Sequence, residues 1–102
     1  MAQDILISRR EVGIGYVLGL HLRVADKFVR LATTFHSEIQ VHCNGIVANG
    51  KSILSLLSLA AEYGTMLALE AQGCDAEDAV AALAILIACE SREFQDKGGD
   101  AV

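Results

Sequence analysis

The chain has 102 residues, of which 53% are hydrophobic, and it carries a formal net charge of −5 at pH 7. This length fits one domain with a single core, and the acidic balance argues against general binding to nucleic acid. The longest apolar runs are about half of the ~20 residues that a membrane-spanning helix needs, and the first residues do not resemble a signal peptide. We therefore expect a cytoplasmic protein without membrane insertion.

The first half of the chain predicts a strand, a helix and a hairpin. Residues 11–16 alternate between apolar and small or polar side chains, which is typical of a strand with one buried face. Over residues 22–35 the apolar spacing becomes that of a helix with one apolar stripe. Residues 37–43 alternate again, and Asn44-Gly45 separates them from residues 46–48. This dipeptide is a strong hairpin signal, because both turn positions tolerate a positive φ.

The second half predicts a short helix, a strand and a longer helix. Ser52 begins a very apolar helix, since a serine hydroxyl can accept from a free N–H at the helix start. A fourth strand is expected at residues 66–71, and Asp75 is expected to cap the last helix. Residues 91–102 are polar, so we expect a flexible tail after a single domain core of about residues 8–90.

This element order, β-α-β-β-α-β-α, predicts a two-layer α/β sandwich with an antiparallel sheet. The outward strand positions are small or polar, so one sheet face is expected in solvent and the helices must cover the other. These outward positions are Gly13, Gly15, Gln40, His42, Ala68 and Glu70.

The cysteines and two of the histidines suggest no chemistry. Cys43, Cys74 and Cys89 share no metal-ligand spacing, and an odd count in a chain without an export signal fits reduced thiols. Cys43 and Cys89 are predicted to be small core residues. His36 and His42 are predicted to be bystanders, and neither a metal nor a cofactor is expected.

His21 is the candidate reactive residue, because it directly precedes a predicted helix. The free N–H groups and the positive dipole end of a helix disfavour an imidazolium, so a neutral, nucleophilic imidazole should persist. The same N–H groups suit a phosphate on the ring, and Arg23 adds a donor fork that matches phosphate oxygens. The alternative is that His21 only caps the helix.

Two segments resemble motifs of one family. The stretch GLHLRVADKFVRLA resembles the active-site motif of HPr, the histidine-containing phosphocarrier of the bacterial phosphoenolpyruvate-dependent phosphotransferase system. The stretch NGKSILSLLSLAA resembles the regulatory-serine segment of the same family, at the family's spacing from the first motif. The similarity extends from about Glu11 to Ala88.

The resemblance implies an open-faced β-sandwich with sheet order 1-4-2-3 and three helices on one face. It implies that His21 accepts a phosphoryl group on Nδ1 from enzyme I and passes it to the A domain of a sugar permease or another acceptor. Arg23 matches the arginine that neighbours the phosphohistidine. The protein would be a relay substrate, expected as a monomer, rather than an enzyme with its own turnover.

Two positions depart from the family pattern. The family usually has proline after the motif arginine, where this chain has Val24, and often Asn or Asp where it has Leu18. Proline fits a first helical turn because its φ is preset, whereas valine supplies an extra N–H at the phosphate end. Leucine cannot orient a histidine through a polar side chain.

Ser52 matches the serine that HPr kinase/phosphorylase modifies in many bacteria, although an N-cap alone would also explain it. The neighbouring Ile53, Leu54 and Leu57 are too many apolar residues for one face of a short helix, so some are expected to be exposed beside His21. With a basic rim of Lys27, Arg30 and Lys51, they would form a docking surface for an acidic protein. The alternative is that all three are core residues.

Two further functions remain open from the sequence. One is a regulatory binding module that keeps the fold but does not relay phosphate. The other is a carrier in the nitrogen-related branch, which serves regulation rather than sugar uptake.

Overall fold

The structure is a computed structural model, and it describes residues 6–88. Cys89 and the predicted tail at residues 91–102 lie outside the described residues. The element order β-α-β-β-α-β-α is confirmed within this range. The elements are β1 (Ile7–Gly13), α1 (Leu22–Ala32), β2 (Glu38–Cys43), β3 (Ile46–Asn49), α2 (Ile53–Leu57), β4 (Met66–Gln72) and α3 (Ala76–Ala88).

The strands form one antiparallel sheet in the order β1-β4-β2-β3, as predicted. On the inner face, Val41 pairs with Leu69 on one side and Ala48 on the other, and all three are buried. Phe28 and Leu83 belong to the same core, which places the helices over this face. The opposite face is solvated at Gln40, so the open-faced sandwich is confirmed. None of the described helices is both long and apolar enough to cross a bilayer.

The hairpin between β2 and β3 turns where the sequence predicts it. Asn44 and Gly45 have φ values of 51° and 83°, as a two-residue turn with positive φ at both positions requires. The register that follows pairs Cys43 with Ile46. This short-range signal therefore fixes the alignment of two strands.

The predicted position of the first strand is wrong. β1 covers Ile7–Gly13, whereas the expected strand covered residues 11–16. Ile14 and Tyr16 are buried, but the chain has left the ladder there: Gly15 N–H donates to the carbonyl of Ile87 at 3.0 Å, so the backbone turns toward α3. Gly15 is therefore not an outward strand position.

The first two helices are shorter than the apolar runs suggest. α1 ends at Ala32, where the N–H groups of Thr34 and Phe35 donate to the carbonyls of Leu31 and Ala32, three residues back instead of four. α2 has only five residues, and Ala60 follows with φ 51°, a conformation that cannot continue a right-handed helix.

Asp75 precedes α3 as predicted, but its side chain has a different partner. The carboxylate accepts from the backbone N–H groups of His36 and Ser37 at 2.8 and 2.9 Å, and from the Ser37 hydroxyl at 2.5 Å. Ser37 is fully buried, and the hydrogen bond from its hydroxyl is the largest cause that lowers the pKa of Asp75 to about 2. Asp75 therefore fastens the chain before β2 to the start of α3.

We predict that the stabilisation from the Asp75 hydrogen bonds is lost in acid. A carboxyl group whose folded pKa of about 2 lies below its ordinary value of 3.8 stabilises the fold above pH 3.8, and the contribution disappears as the pH falls through 2. Asp75→Asn should lower the melting temperature at pH 7, and the difference from the wild type should shrink between pH 3.8 and pH 2. Thermal melts across this range test it, with Asp78→Asn, which changes an exposed acidic residue in the first turn of α3, as the control. A pH-independent difference would contradict the prediction.

Candidate functional site

The loop before α1 is held tightly against the chain after α2. Gly19 N–H donates to the Tyr16 carbonyl at 2.8 Å, and Leu20 N–H donates to the Ala61 carbonyl at 2.9 Å. Gly19 has φ 76°, and a Cβ atom there would collide with the Ala61 carbonyl oxygen. Only glycine fits this close approach, which gives His21 a defined position at the end of the loop.

His21 is the N-cap residue of α1, but its side chain does not act as a cap. Its carbonyl accepts from Ala25 N–H at 2.9 Å, which begins the helix. The partly buried imidazole makes no capping hydrogen bond. The imidazole is therefore not used to cap the helix, and a reactive role for it stays a prediction.

The helix start next to His21 has the character of an anion site. Because the first intrahelical bond comes from Ala25, the N–H groups of Leu22, Arg23 and Val24 have no acceptor within the helix. The first turn carries no acidic residue. The Arg23 side chain is exposed, whereas the Val24 side chain lies in the core. The structure thus places Arg23 and the imidazole at the same end of α1.

Ser52 is the N-cap of α2, as predicted. Its hydroxyl oxygen accepts from Ser55 N–H at 3.2 Å, and the Ser55 hydroxyl oxygen accepts from Asn49 N–H at 2.8 Å. Ser52 is partly buried. Its structural role is therefore established in this fold, and a phosphate at Ser52 stays a prediction.

The apolar residues of α2 divide between core and surface. Leu54 is 79% exposed, whereas Ile53 and Leu57 are partly buried against the core. Leu56, which was not among the candidates, is the fully buried residue of this helix. The alternative that all three candidates are core residues is wrong. Because α1 and α2 pack against each other, the exposed Leu54 lies on the helix that neighbours the His21 helix.

The predicted basic rim already makes contacts within the chain. Lys51 Nζ donates to the Phe35 carbonyl at 2.8 Å, just beyond the end of α1. Arg30 Nε lies 3.0 Å from Asp26 Oδ2, one helical turn away and exposed to solvent. Lys27 is partly buried on the same helix. The rim is thus a set of cations with local partners, and its role in docking stays a prediction.

Exposed apolar residues that the sequence analysis missed lie close to His21 along the chain and in the segment after α2. They are Val17, Leu18 and Leu22, with Tyr63 in the segment that follows the Ala61 contact. Their exposure follows from a tight turn and from a helix start, both of which are set by distant contacts. The sequence signal that could have found them is the absence of any polar residue between Tyr16 and His21.

The other two histidines lie away from this site. His36 is exposed before β2, as the prediction for the helix-strand turn requires. His42 lies on the outer sheet face, where its Nε2 atom is 3.3 Å from Glu70 Oε1, and Arg9 Nη1 lies 3.0 Å from the same oxygen. Within residues 6–88, no three His, Cys, Asp or Glu side chains are grouped so that they could hold a metal ion.

Known proteins of one family match this chain. A family model described as "PTS HPr component phosphorylation site" matches residues 8–88. The phosphocarrier protein HPr of Neisseria meningitidis serogroup A is 47% identical over 70 residues, which cover 69% of this chain and 79% of the relative. The HPr structure from Bacillus anthracis str. Ames has a TM-score of 0.77 and 36% identity, and the match covers 79% of this chain and 96% of that one.

This chain is also similar to a solved structure of a catabolite repression protein. The Bacillus subtilis catabolite repression protein Crh, described as a dimer with a swapped domain, has a TM-score of 0.65 and 36% identity. The match covers 85% of this chain and 93% of Crh. A family match across the whole described fold, together with a close phosphocarrier relative, shows that this chain belongs to the HPr family of the phosphotransferase system.

Proposed function

We propose that this chain is a phosphocarrier that accepts a phosphoryl group on His21 from phosphorylated enzyme I. It then passes the group to a permease A domain or to another acceptor. The observation that carries this proposal is the His21 imidazole, which ends a fixed loop and makes no capping bond while the adjacent helix start keeps open N–H donors. Family membership supports the same role.

The transfer needs only positioning and stabilisation of charge. The lone pair of His21 Nδ1 forms a bond to phosphorus as the bond to the donor's imidazole nitrogen breaks, and that electron pair returns to the donor ring. The phosphoryl oxygens then face the N-terminus of α1, where the backbone N–H groups and the Arg23 guanidinium can donate to them. In-line transfer between two held rings relies mainly on such positioning.

The chain acts in this proposal as a relay without turnover of its own, as a monomer in the cytoplasm, and with no cofactor. A monomer suffices because the proposed reactive residues all lie on one chain. Size measurement in solution tests this, since Crh is described as a dimer.

The similarity to Crh keeps a second function open, namely a regulatory module that binds partners without relaying phosphate. A regulatory carrier of the nitrogen-related branch is a third candidate. The relay is the better supported of these because a binding module has no need of an uncapped imidazole beside open donors. Identification of the acceptor would separate sugar transport from the nitrogen branch.

We predict that His21 is the only acid-labile phosphorylation site. Incubation with phosphoenolpyruvate and the enzyme I of the bacterium that encodes this chain should add one phosphoryl group, measured by intact mass. His21→Ala should abolish the addition, and His36→Ala, which changes an exposed histidine elsewhere, should leave it unchanged. Acid-labile phosphate on the His21→Ala variant would contradict the role of His21, and no addition to the folded wild type would favour the binding module.

We further propose that the N–H of Val24 helps to hold the phosphoryl group. Val24 lies in the first turn, where its N–H has no helical acceptor, and a proline at this position could not donate. A charge-assisted hydrogen bond of this kind contributes about 1.5–3 kcal/mol. This donor would therefore distinguish the chain from relatives with the proline that the resemblance leads one to expect.

We predict that Val24→Pro shortens the lifetime of phosphorylated His21 by roughly tenfold or more, because the donor is removed. Val24→Ala is the matched control, since it truncates the same buried side chain but keeps the N–H. The decay of the phosphorylated protein is followed by mass at neutral pH, and circular dichroism verifies that both variants are folded. Equal decay of the two variants would rule out a role for this N–H.

We also propose that phosphorylation of Ser52, by an HPr kinase/phosphorylase, weakens docking of enzyme I. A phosphate there would carry about −1.5 to −2 charges at a helix N-terminus, which tolerates negative charge, so the fold should persist. The same charge would lie next to Ile53 and Leu54, where an acidic, apolar partner surface would meet it. Enzyme I would then bind less tightly to the predicted docking surface. This surface consists of Lys27, Arg30 and Lys51 with the α2 residues Ile53, Leu54 and Leu57.

We predict that Ser52→Asp raises the Kd for enzyme I by about tenfold or more, because a charge enters the docking surface. Ser52→Asn is the matched control, since asparagine caps a helix equally well without charge. Calorimetric titration of both variants measures the difference, and their melting temperatures should agree closely. Equal affinity of the two variants would place Ser52 outside the interface.

A further inference from the structure

Two large aliphatic side chains occupy the corners of a tight turn directly before the reactive residue. Val17 and Leu18 are 71% and 77% exposed, and the turn is closed by the 2.8 Å bond from Gly19 N–H to the Tyr16 carbonyl. Turn corners normally carry Gly, Pro, Asn, Asp or Ser, because these residues suit the backbone and the solvent. Val17 and Leu18 belong to neither the turn-forming nor the polar residue types. We call these two residues the apolar turn.

The apolar turn is anchored on both sides. Tyr16 and Leu20 are 6% and 4% exposed, and the Tyr16 hydroxyl donates to the Leu86 carbonyl at 2.8 Å. Leu20 is fastened in turn by its bond to Ala61. The two exposed side chains therefore project from a backbone that is already ordered, which lowers the entropic cost of docking them into a partner.

Along the chain, the neighbours of the apolar turn are also apolar. Leu22, on the other side of His21 along the chain, is 62% exposed. Residues 12–25 contain no carboxylate, and Arg23 is the nearest charged residue along the sequence. In space, the backbone of the exposed Glu62 lies beside Gly19 at the end of the turn. Three exposed large aliphatic residues within six positions exceed the single apolar residues that are normal on a surface.

From these observations we infer that Val17 and Leu18 determine partner specificity in phosphoryl transfer. They insert into an apolar recess of the protein that exchanges the phosphoryl group with His21, and carboxylates beside that recess meet Arg23. The inference rests on the proposed relay function. A second copy of this chain is the less suitable occupant, because covering the apolar turn would also cover His21. Docking here also excludes water from the reacting phosphorus.

The experiment measures how the rate of transfer from phosphorylated enzyme I depends on the concentration of this chain. Leu18→Asn and Val17→Asn should each raise KM by roughly tenfold or more while kcat changes little, because aliphatic anchors of an interface are lost. Leu18→Met should retain a KM close to that of the wild type. Ile85→Asn changes an aliphatic residue of α3 that is 57% exposed, and it should have no effect.

A small phosphoryl donor separates this inference from the relay itself. Phosphoramidate needs no docking surface, so it should phosphorylate His21 in the wild type and in Leu18→Asn at equal rates. A wild type that enzyme I does not phosphorylate would remove the relay function. Normal transfer to the wild type with an unchanged KM in Leu18→Asn would overturn only the docking role. An equal loss of rate with phosphoramidate in Leu18→Asn would also overturn it, because it would mean that the substitution had disturbed His21 itself. Sedimentation measures the oligomeric state of the same variants. A dimeric wild type and a monomeric Leu18→Asn variant, with the same KM, would assign the apolar turn to self-association and would also overturn the inference.

Discussion

The close contact between the loop before α1 and the backbone after α2 is the constraint on which the site depends. Gly19 fits against the Ala61 carbonyl only because it lacks a Cβ atom, and Leu20 N–H donates to the same oxygen. This contact orders the turn at residues 17–18 and sets the direction in which the chain enters α1. The position of His21, the exposure of the apolar turn and the open helix start all follow from it.

The two helices of the site begin with caps that differ in chemistry. At Ser52 the hydroxyl satisfies a backbone donor of α2, so this cap is complete within the chain. At His21 the side chain leaves the donors of α1 open, although an Asn, Asp or Ser would have satisfied one of them. A stabilising cap has been omitted at the position where the family motif has its reactive histidine. This arrangement leaves the α1 donors without a side-chain acceptor from His21, and in the proposed relay the phosphoryl group would accept from them.

The parts of the structure that the sequence predicted are those governed by neighbouring residues. Asn44-Gly45 encodes its turn locally, and Ser52 encodes its cap within three residues. The errors came from contacts between distant segments. Tyr16 looked like a strand residue because it continues the alternation of Val12 and Ile14, but the structure places its hydroxyl against the Leu86 carbonyl of α3. Asp75 looked like a helix cap, but its carboxylate accepts hydrogen bonds from His36 and Ser37, which precede it by 39 and 38 positions in the sequence.

The candidate site shows the same division. His21 and Arg23 were found from a local motif, and the structure places both at the start of α1. The sequence also predicted that some α2 residues would be exposed, but it could not say which, because helix length decides that question. With α2 ending at Leu57, Leu56 points into the core and Leu54 points outward. The apolar run from Tyr16 to Leu20 is visible in the sequence, but the sequence does not show that Leu20 is held by the Ala61 carbonyl while Val17 and Leu18 stay exposed.

Lys51 links the segment after α1 to the start of α2 through a hydrogen bond, in addition to any role of its charge at the surface. Its ammonium group binds the Phe35 carbonyl just beyond α1, and it directly precedes the Ser52 cap. A phosphate on Ser52 would offer this ammonium group a doubly charged acceptor in place of a neutral carbonyl, and charge-assisted hydrogen bonds are the stronger kind. The chain beyond the C-terminal end of α1 would then lose a partner while the start of α2 gained one. In the proposed regulation, modification of Ser52 would therefore act through the contact between α1 and α2 as well as through charge at the proposed docking surface.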